Sequence, residues 1–277
     1  MTAEGLPYSS MIFNLAYNML GSYAQAEDIL QDMQLKFLEK QFPSEAPKSY
    51  YARATINHCL NILKKAERTS YPGPWLPEPF IAPPDGVEIK DLLHYELASL
   101  MEDLSPQERA VFVLREAMDL SHKEIAEALE ISADNARQLF SRSKKKINPS
   151  AHTRTHSTVA LEKAQQLLDL ITKGDPEALI SLFSEDMRLI ADGGGKVTTA
   201  RKPVIGDAKV AKFLVNIARF APDDLEIRSM EILSQTAIGF FQDGQCLTIW
   251  IISLDDESKR IRRIFVVGNP DKLTRIG

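Results

Sequence analysis

Apolar residues recur every three or four positions through most of the first 70 residues, and this spacing predicts amphipathic helices. The first helix is predicted to end before Gly21. Its apolar positions are Ile12, Leu15, Ala16, Met19 and Leu20. A second helix is predicted over about residues 24–40 and a third over about residues 48–68. Pro43 and Pro47 separate them, because proline cannot continue a helix.

Prolines dominate the next segment, Tyr71-Pro-Gly-Pro-Trp-Leu-Pro-Glu-Pro79. They fix an extended backbone and remove donors, so the segment is predicted to be a stiff connector rather than a helix or strand. Trp75 stands out within it, because tryptophan is unfavourable to leave in water and effective as an anchor in a pocket. Helices are predicted to resume near Val87.

From about Thr158 the pattern changes. One amphipathic helix is predicted there, Gly174-Asp175-Pro176 starts a shorter one, and a third covers residues 208–220. Strand patterns follow over residues 225–233, 237–242, 246–254 and 260–267, and the turn Gln242-Asp243-Gly244-Gln245 indicates a hairpin. Helices followed by a curved antiparallel sheet predict an α+β domain.

The segment from Leu120 to Lys146 has the pattern of a helix-turn-helix. Ser121 and Ser132 are predicted to cap its two helices, whose free N–H groups are suited to phosphate. Glu130 stands at the turn, where a left-handed backbone favours glycine. The predicted buried positions are Ile125, Ala126, Leu129, Ile131, Ala136 and Leu139.

The second of these helices presents a polar stripe suited to a DNA major groove. The candidate duplex-contacting residues of the motif are Ser121, Lys123, Ser132, Arg137, Gln138, Ser141, Arg142 and Lys145. Arg137 and Gln138 are candidates for base edges, whereas the lysines of 144–146 would mostly contact phosphate. A plain helical hairpin with a solvated basic end is the alternative interpretation.

The third helix carries a similar face of amides and cations. Arg53, Asn57, Asn61, Lys64 and Arg68 share that face, with His58 and Lys65 beside it. Taken alone, such a stripe is also typical of a solvated helix surface. It gains weight as a nucleic-acid face because a second candidate DNA-binding helix follows the connector.

The chain has 277 residues, of which 44% are hydrophobic and 26% are charged, with a net charge of −5, so we expect a soluble protein of two or three domains whose DNA contacts are local. Cys59 and Cys246 are predicted to be buried thiols in a reducing cytoplasm. The longest strongly apolar stretch, residues 246–254, is too short to span a membrane. His152 and His156 lack further ligands, so neither a metal nor another cofactor is predicted.

Three segments together resemble an extracytoplasmic-function sigma factor of the sigma-70 family. They are Ala26-Glu27-Asp28-Ile29-Leu30-Gln31-Asp32, the third helix, and Leu104-Ser105-Pro106-Gln107-Glu108-Arg109 before the helix-turn-helix. Three others resemble the subgroup with a fused SnoaL-like C-terminal domain. They are Pro74-Trp75-Leu76-Pro77-Glu78-Pro79, Asp192-Gly193-Gly194-Gly195-Lys196 and Asn269-Pro270-Asp271-Lys272-Leu273.

This resemblance implies a multidomain fold of two all-α domains followed by an α+β cone. Sigma region 2 would occupy residues 1–70, a Pro-rich linker 71–90, the region 4 helix-turn-helix 91–150, and the SnoaL-like domain 151–277. The resemblance also implies that Glu27, Asp28, Gln31 and Asp32 bind the clamp helices of the largest subunit of core RNA polymerase. Gln34 departs from the family, which usually has an aromatic residue there.

Promoter recognition is divided between the two basic helices in this family. The third helix would bind the −10 element as a single strand, with a base extruded and read by groups such as Asn57 and Asn61. The helix-turn-helix would read the −35 element as duplex. The alternative function is a polymerase-independent DNA-binding regulator with a ligand-sensing or enzymatic SnoaL-like domain.

The role of the C-terminal domain is predicted to be regulatory rather than enzymatic. Asp192 is a candidate general base, but the three glycines after it suit a tight loop better than a catalytic site. We expect the C-terminal domain to act in place of a separate anti-sigma factor by contacting the helical domains and the connector, the latter at Trp75, Leu76 and Pro77. The loop residues predicted to take part are Asp192, Gly193, Gly194, Gly195, Lys196, Asn269, Pro270, Asp271, Lys272 and Leu273. Whether this domain also binds a small-molecule ligand stays open.

Overall fold

The computed structural model describes residues 6–43, 46–66, 71–88, 92–147 and 158–276. The described residues form two compact units. The first, here called the helical unit, draws on residues 1–70, 82–93 and 97–149. The second, here called the C-terminal unit, draws on residues 71–81, 94–96 and 150–277.

The described part of the helical unit is built from α-helices. They are α1 (Ser9–Leu20), α2 (Tyr23–Leu38), α3 (Lys48–Ala66), α4 (Tyr95–Leu100), α5 (Pro106–Glu116), α6 (His122–Leu129) and α7 (Ala133–Ile147). A 3-10 turn, Met101–Asp103, follows α4, whose first two residues belong to the C-terminal unit. The first three helices and the helix-turn-helix confirm the sequence prediction.

Helix α1 lies at the centre of the helical unit. Its residues from Met11 to Leu20 are all buried, because α2, α3 and α5 pack around it. Gly21 ends α1 in the left-handed conformation, at φ 62°, as a C-terminal glycine commonly does. Arg109 on α5 reaches the same end of α1, where its guanidinium donates to the carbonyl of Met19 at 2.9 Å.

The prediction that helices resume near Val87 is wrong, since the next described helix begins at Tyr95. Side chains of α1 bind the backbone of the intervening segment. Asn14 donates to the carbonyl of Glu88 at 2.8 Å, and Asn18 accepts the N–H of Leu93 at 3.1 Å. These bonds engage backbone groups that a helix would have paired internally.

The C-terminal unit combines helices with a six-stranded mixed sheet. Its helices are α8 (Thr158–Lys173), α9 (Pro176–Leu182) and α10 (Asp207–Ala218). Its strands are β1 (Phe183–Asp192), β2 (Val204–Ile205), β3 (Glu226–Ile232), β4 (Gln235–Gln242), β5 (Gln245–Leu254) and β6 (Ile261–Val267). The strand order is β2-β1-β6-β5-β4-β3, and β1 runs parallel to β6.

The predicted α+β class is confirmed, but the sheet is not purely antiparallel as expected. Strand β1 was not predicted, because an irregularity between Phe183 and Arg188 breaks the alternation of buried and exposed residues. The helices cover one face of the sheet, where Leu167 and Leu214 share a core with Trp250. The second face carries Phe265, whose ring contacts that of Tyr95 at 5.8 Å.

The parallel pairing of β1 and β6 brings two loops to one edge of the sheet. Asp192 ends β1 opposite Val267, which ends β6. The carbonyl of Asp192 accepts the N–H groups of Gly268 at 2.8 Å and Asn269 at 3.0 Å. The loop after each strand is therefore held beside the other.

Candidate DNA-binding and interdomain sites

Both predicted caps of the helix-turn-helix are formed. Ser121 and Glu124 make a capping box, in which each side chain binds the backbone N–H of the other residue. The hydroxyl of Ser132 accepts the N–H of Asn135 at 3.1 Å. Glu130 adopts the left-handed conformation expected at the turn, with φ 54° and ψ 42°.

Helix α7 exposes the predicted stripe. Arg137, Gln138, Ser141, Arg142 and Lys145 are all exposed, as is Lys123 on α6. The opposite side of α7 is anchored by the buried residues Ala136 and Leu139. Arg137 lies within reach of one acidic neighbour, Asp134, at 3.0 Å. The stripe is therefore presented to solvent by a helix whose other face is fixed in the core.

Lys146 does not fit the predicted phosphate contact. Its ammonium group donates to Glu108 on α5 at 2.8 Å, and Arg142 lies 3.6 Å from the same carboxylate. Burial opposes ionisation of Glu108, but hydrogen bonds from Lys146 and Ser105 outweigh it and lower the pKa of that carboxyl. Lys146 thus ties α7 to α5.

The candidate −10 face on α3 is mostly accessible. Asn57, Asn61, Lys64 and Lys65 are exposed, while Arg53 and His58 are half-buried. Arg68 lies outside the described residues. The guanidinium of Arg53 pairs with Glu130 of the helix-turn-helix turn, so the two candidate DNA-binding elements touch within the helical unit.

The acidic side of α2 adjoins this face. Asp28, Gln31 and Asp32 are exposed and Glu27 is half-buried. His58 lies 3.8 Å from Asp32, which places the candidate polymerase-binding and −10 residues next to each other. Gln34 is exposed, so the departure from the family pattern leaves the core of this helix unaffected.

Sequence reasoning missed two apolar residues on α2. Leu35 is 58% exposed and Leu38 is 69% exposed, and both extend the surface of the acidic residues toward the end of the helix. The signal was present in the sequence, because neither residue falls on the stripe of Ala26, Ile29, Leu30 and Met33 that the helix buries.

The three motifs of the C-terminal unit converge on one buried carboxylate, that of Asp192. Its Oδ1 accepts the Tyr71 hydroxyl at 2.6 Å and the Gly194 N–H at 2.9 Å. Its Oδ2 accepts the Leu76 N–H at 2.9 Å and the Lys272 ammonium at 2.7 Å. With its oxygens committed to these donors, Asp192 is positioned as a structural anchor and not as a general base.

Lys272 completes this connector cluster, defined here as Tyr71, Trp75, Leu76, Asp192 and Lys272. Its ammonium group donates to the Leu76 carbonyl at 2.5 Å and lies 3.9 Å from the centre of the Trp75 ring. Such cation–π contacts are strongest when they are shielded from water. Burial and the hydrogen bond to Asp192 raise the pKa of Tyr71, which keeps its hydroxyl a donor.

The glycines after Asp192 leave no room for a Cβ, because atoms of neighbouring residues approach each of them closely. A Cβ on Gly193 would lie 2.3 Å from the Val197 carbonyl, and one on Gly194 would lie 2.4 Å from the Asn269 side chain. Gly195, at φ 72°, faces Pro72 of the connector. The tight loop expected from the sequence is therefore what the structure shows.

The remaining predicted residues lie around this cluster. Pro77 is buried, and its carbonyl accepts the Tyr95 hydroxyl at 2.7 Å. Lys196 and Asp271 form an exposed ion pair at 2.6 Å, beside the exposed Pro270, and Leu273 is buried. A polar cleft of about 150 Å³ borders the connector, and its lining includes Lys196, Thr198 and Arg201.

Both cysteine thiols have raised pKa values. Burial raises that of Cys59, which is fully buried as expected. Cys246 is only half-buried, which corrects the prediction, and burial raises its pKa to about 11. Within the described ranges no group of three or more His, Cys, Asp or Glu residues is suited to a metal, and no helix is long and apolar enough to cross a membrane. His152 and His156 lie outside those ranges.

A helical unit that joins an amide- and cation-bearing helix to a helix-turn-helix defines the class of sigma-70-type promoter-recognition factors. Residues 7–69 match the family Sigma-70 region 2, and residues 94–147 match the family Sigma-70, region 4. The chain therefore carries regions 2 and 4 of the sigma-70 family, followed by an α+β unit, and it is similar to extracytoplasmic-function sigma factors.

Similar proteins cover nearly the whole chain. The ECF RNA polymerase sigma factor SigJ of Mycobacterium tuberculosis is 27% identical over 283 residues, which span 95% of this chain and 90% of that protein. The probable ECF RNA polymerase sigma factor SigI of the same species is 26% identical over 290 residues, 99% of this chain and 94% of that protein. The crystal structure of M. tuberculosis SigJ shares the fold, with a TM-score of 0.73 at 24% identity over 96% of this chain and 95% of that one.

Proposed function

We propose that this sigma factor directs core RNA polymerase to promoters under the control of its own C-terminal domain. The single observation that supports this control is the pair of hydrogen bonds to the backbone of Leu76. Asp192 binds the N–H of that residue and Lys272 binds its carbonyl, so the C-terminal unit holds the backbone of the connector directly. The connector follows region 2 in the chain, so its release or retention bears on how regions 2 and 4 spread along a promoter.

Core polymerase is bound through α2 in this proposal. The exposed carboxylates of Asp28 and Asp32 are suited to basic side chains of the clamp helices, with Glu27 and Gln31 at their edge. Leu35 and Leu38 add exposed apolar surface next to them, of the kind that anchors protein interfaces. The combination of carboxylates and exposed leucines favours a role of α2 in docking over the alternative that it is an ordinary acidic surface.

Promoter recognition uses the two basic helices. On α3, Asn57 and Asn61 are exposed amides that can read the edge of an extruded base. On α7, Arg137 and Gln138 are exposed, which supports assigning them to base edges of duplex DNA. The ion pair of Arg53 with Glu130 joins these elements, so we infer that it opens before both elements bind promoter DNA.

Retention of the connector depends on buried charge. Asp192 and Lys272 are both buried, and each neutralises the other. Removal of one partner leaves an uncompensated buried charge, which costs about 3–5 kcal/mol. A variant that lacks Lys272 should therefore lose the connector from the C-terminal unit.

Run-off transcription with core polymerase tests the proposal. With a promoter selected in vitro, we expect Lys272→Gln and Asp192→Asn to raise the yield several-fold, since the domain acts in place of an anti-sigma factor. Lys196→Gln is the matched control, because its exposed ion pair joins the same two loops and takes no part in the bonds to Leu76. Yields equal to wild type for all three variants would rule out control through this contact.

A further inference from the structure

A second charged cluster in the C-terminal unit uses none of the residues of the connector cluster. Glu96, in the first turn of α4, is 1% exposed, although glutamate is rarely buried without partners. Its Oε1 accepts from Arg262 at 2.9 Å and also from Arg263. Its Oε2 accepts from the hydroxyl of Ser253. The carboxylate is therefore held by β5 and β6 together.

The backbone and the preceding side chain are bound as well. The N–H of Glu96 donates to the side-chain oxygen of Gln235 at 2.6 Å. The Tyr95 ring makes an edge contact with Phe265, and its hydroxyl donates to the Pro77 carbonyl. Tyr95 and Glu96 are thus bound as a dipeptide, through the Glu96 carboxylate, the Glu96 backbone N–H and the Tyr95 ring.

The residues that bind Tyr95-Glu96 lie on the sheet face opposite the helices. Ile252 and Ile264 point to the helices, so Ser253 and Phe265, which alternate with them, lie on the other face. Burial and the charges of Arg262 and Arg188 lower the pKa of Arg263, whereas Glu96 opposes that shift. Because these guanidinium groups are clustered and partly shielded from water, a carboxylate is the favoured counter-charge at this site.

We propose that Gln235, Ser253, Arg262 and Arg263 form a binding site for an aromatic–glutamate dipeptide, occupied in this chain by Tyr95-Glu96. The match to region 4 begins at residue 94, so the occupant is the segment that opens region 4. The C-terminal domain then holds two successive parts of the chain, the connector and the first turn of α4. The site bonds the first turn of α4 to β5 and β6.

At Gln235 the site holds a buried donor that the occupant does not use. The side-chain nitrogen of Gln235 is buried and has no hydrogen-bond partner among the described residues. A buried donor without a partner weakens the binding of Tyr95-Glu96 to the site. Weaker binding suits a segment that is released from the site and binds again. The competing occupant would be an acidic segment of another protein, and the peptide experiment below discriminates between the two.

Hydrogen exchange of the full-length protein tests the coupling. Glu96→Gln keeps the size of the side chain and removes its charge, so we expect about tenfold faster exchange both in residues 92–97 and in β6 around Arg263. Glu102→Gln is the matched control, because Glu102 pairs with Arg109 inside the helical unit. Unchanged exchange of β6 in the Glu96→Gln variant would overturn the proposal.

A peptide added in trans tests the site itself. A fluorescein-labelled peptide with the sequence of residues 92–99 should bind full-length Glu96→Ala, in which the site has lost its carboxylate, about tenfold more tightly than wild type. A peptide with glutamine in place of the glutamate should bind at least about tenfold more weakly. Equal binding of both peptides, or of an unrelated glutamate peptide, would contradict the proposed recognition.

A milder variant keeps the test decisive if Glu96→Ala does not fold. Ser253→Ala removes one hydrogen bond to the carboxylate and leaves both arginines in place. We expect a several-fold acceleration of exchange in residues 92–97 and none at Leu76. Acceleration at Leu76 alone would show that the connector cluster, and not this site, holds the segment.

Discussion

Asp192 and Lys272 form an ion pair at 2.7 Å, and each of them also binds one backbone group of Leu76. The carboxylate accepts the N–H of Leu76 and the ammonium group donates to its carbonyl. A connector residue outside helix and sheet thus has both backbone groups paired, as burial requires. Docking of the connector therefore uses two opposite charges in addition to the burial of the Leu76 side chain.

Loss of Lys272 should destabilise the C-terminal unit. In Lys272→Met the carboxylate of Asp192 stays buried without its counter-charge, and we expect a fall of about 3–5 kcal/mol in the free energy of unfolding. Urea denaturation followed by tryptophan fluorescence measures it. Lys196→Met removes an exposed ion pair from the same loops and should change stability by less than about 1 kcal/mol. Equal effects of the two variants would refute the structural role of the buried pair.

The loop after Asp192 should not tolerate a methyl group at Gly194. In Gly194→Ala the new Cβ would lie 2.4 Å from Asn269, in addition to the strain of a φ of 60°. Gly244→Ala is the control, since Gly244 has a φ of 76° and open space around it. We expect the control to lose about 1 kcal/mol and Gly194→Ala to lose clearly more, as judged by thermal unfolding. Similar losses would mean that the loop can move aside.

Local sequence signals predicted the helix-turn-helix well. Ser121 and Ser132 cap helices because the bonds they make span only three residues, so no distant contact is needed to see them. The left-handed turn at Glu130 follows from the same local geometry. By contrast, β1 depends on its parallel pairing with β6, about 80 residues away in the chain, and its bulge hides the alternation.

The connector cluster was predictable only through family resemblance. Nothing in the spacing of Asp192 and Lys272 indicates that both reach Leu76, because their meeting depends on the parallel alignment of β1 and β6. Glu96 gave no signal at all. It lies in a run of acidic residues, and only the tertiary fold brings arginines to it. Lys146 was assigned to DNA because its partner, Glu108, lies 38 residues earlier in the chain.

Two opposing effects on stability meet at Glu130, namely the strain of its left-handed backbone and its ion pair with Arg53. Glu130→Gly should relieve about 1 kcal/mol of left-handed strain and lose an exposed pair with Arg53 that contributes less than about 1 kcal/mol. Glu130→Gln loses the charge and keeps the strain. We therefore expect Glu130→Gly to be the more stable of the two by chemical denaturation. The reverse order would mean that the left-handed conformation at residue 130 carries little strain, because both variants lack the ion pair with Arg53.

The two ends of α7 should contribute differently to DNA binding. Arg137→Ala should cost about 1–3 kcal/mol on a selected −35 duplex and relax sequence preference, because it removes a contact to base edges. Lys145→Ala should weaken binding to all duplexes about equally and lower the salt dependence, because it removes a phosphate contact. Binding by the holoenzyme at several salt concentrations separates these outcomes. A uniform loss for Arg137→Ala would assign that residue to the backbone instead.

The Glu108–Lys146 bond should make the helical unit sensitive to acid. The pKa of Glu108 is lowered in the folded state from its ordinary value of 4.5, so its stabilising contribution is complete above that value and is lost as the pH falls through the folded pKa. In Lys146→Met the hydrogen bond is gone while burial still opposes ionisation, so the folded pKa should move back toward 4.5 and less stability should be lost as the pH falls. Urea midpoints from about pH 3 to pH 7 measure this shift. Lys145→Met is the control, since Lys145 is exposed on the same helix, and a matching shift in it would show that the effect comes from net charge.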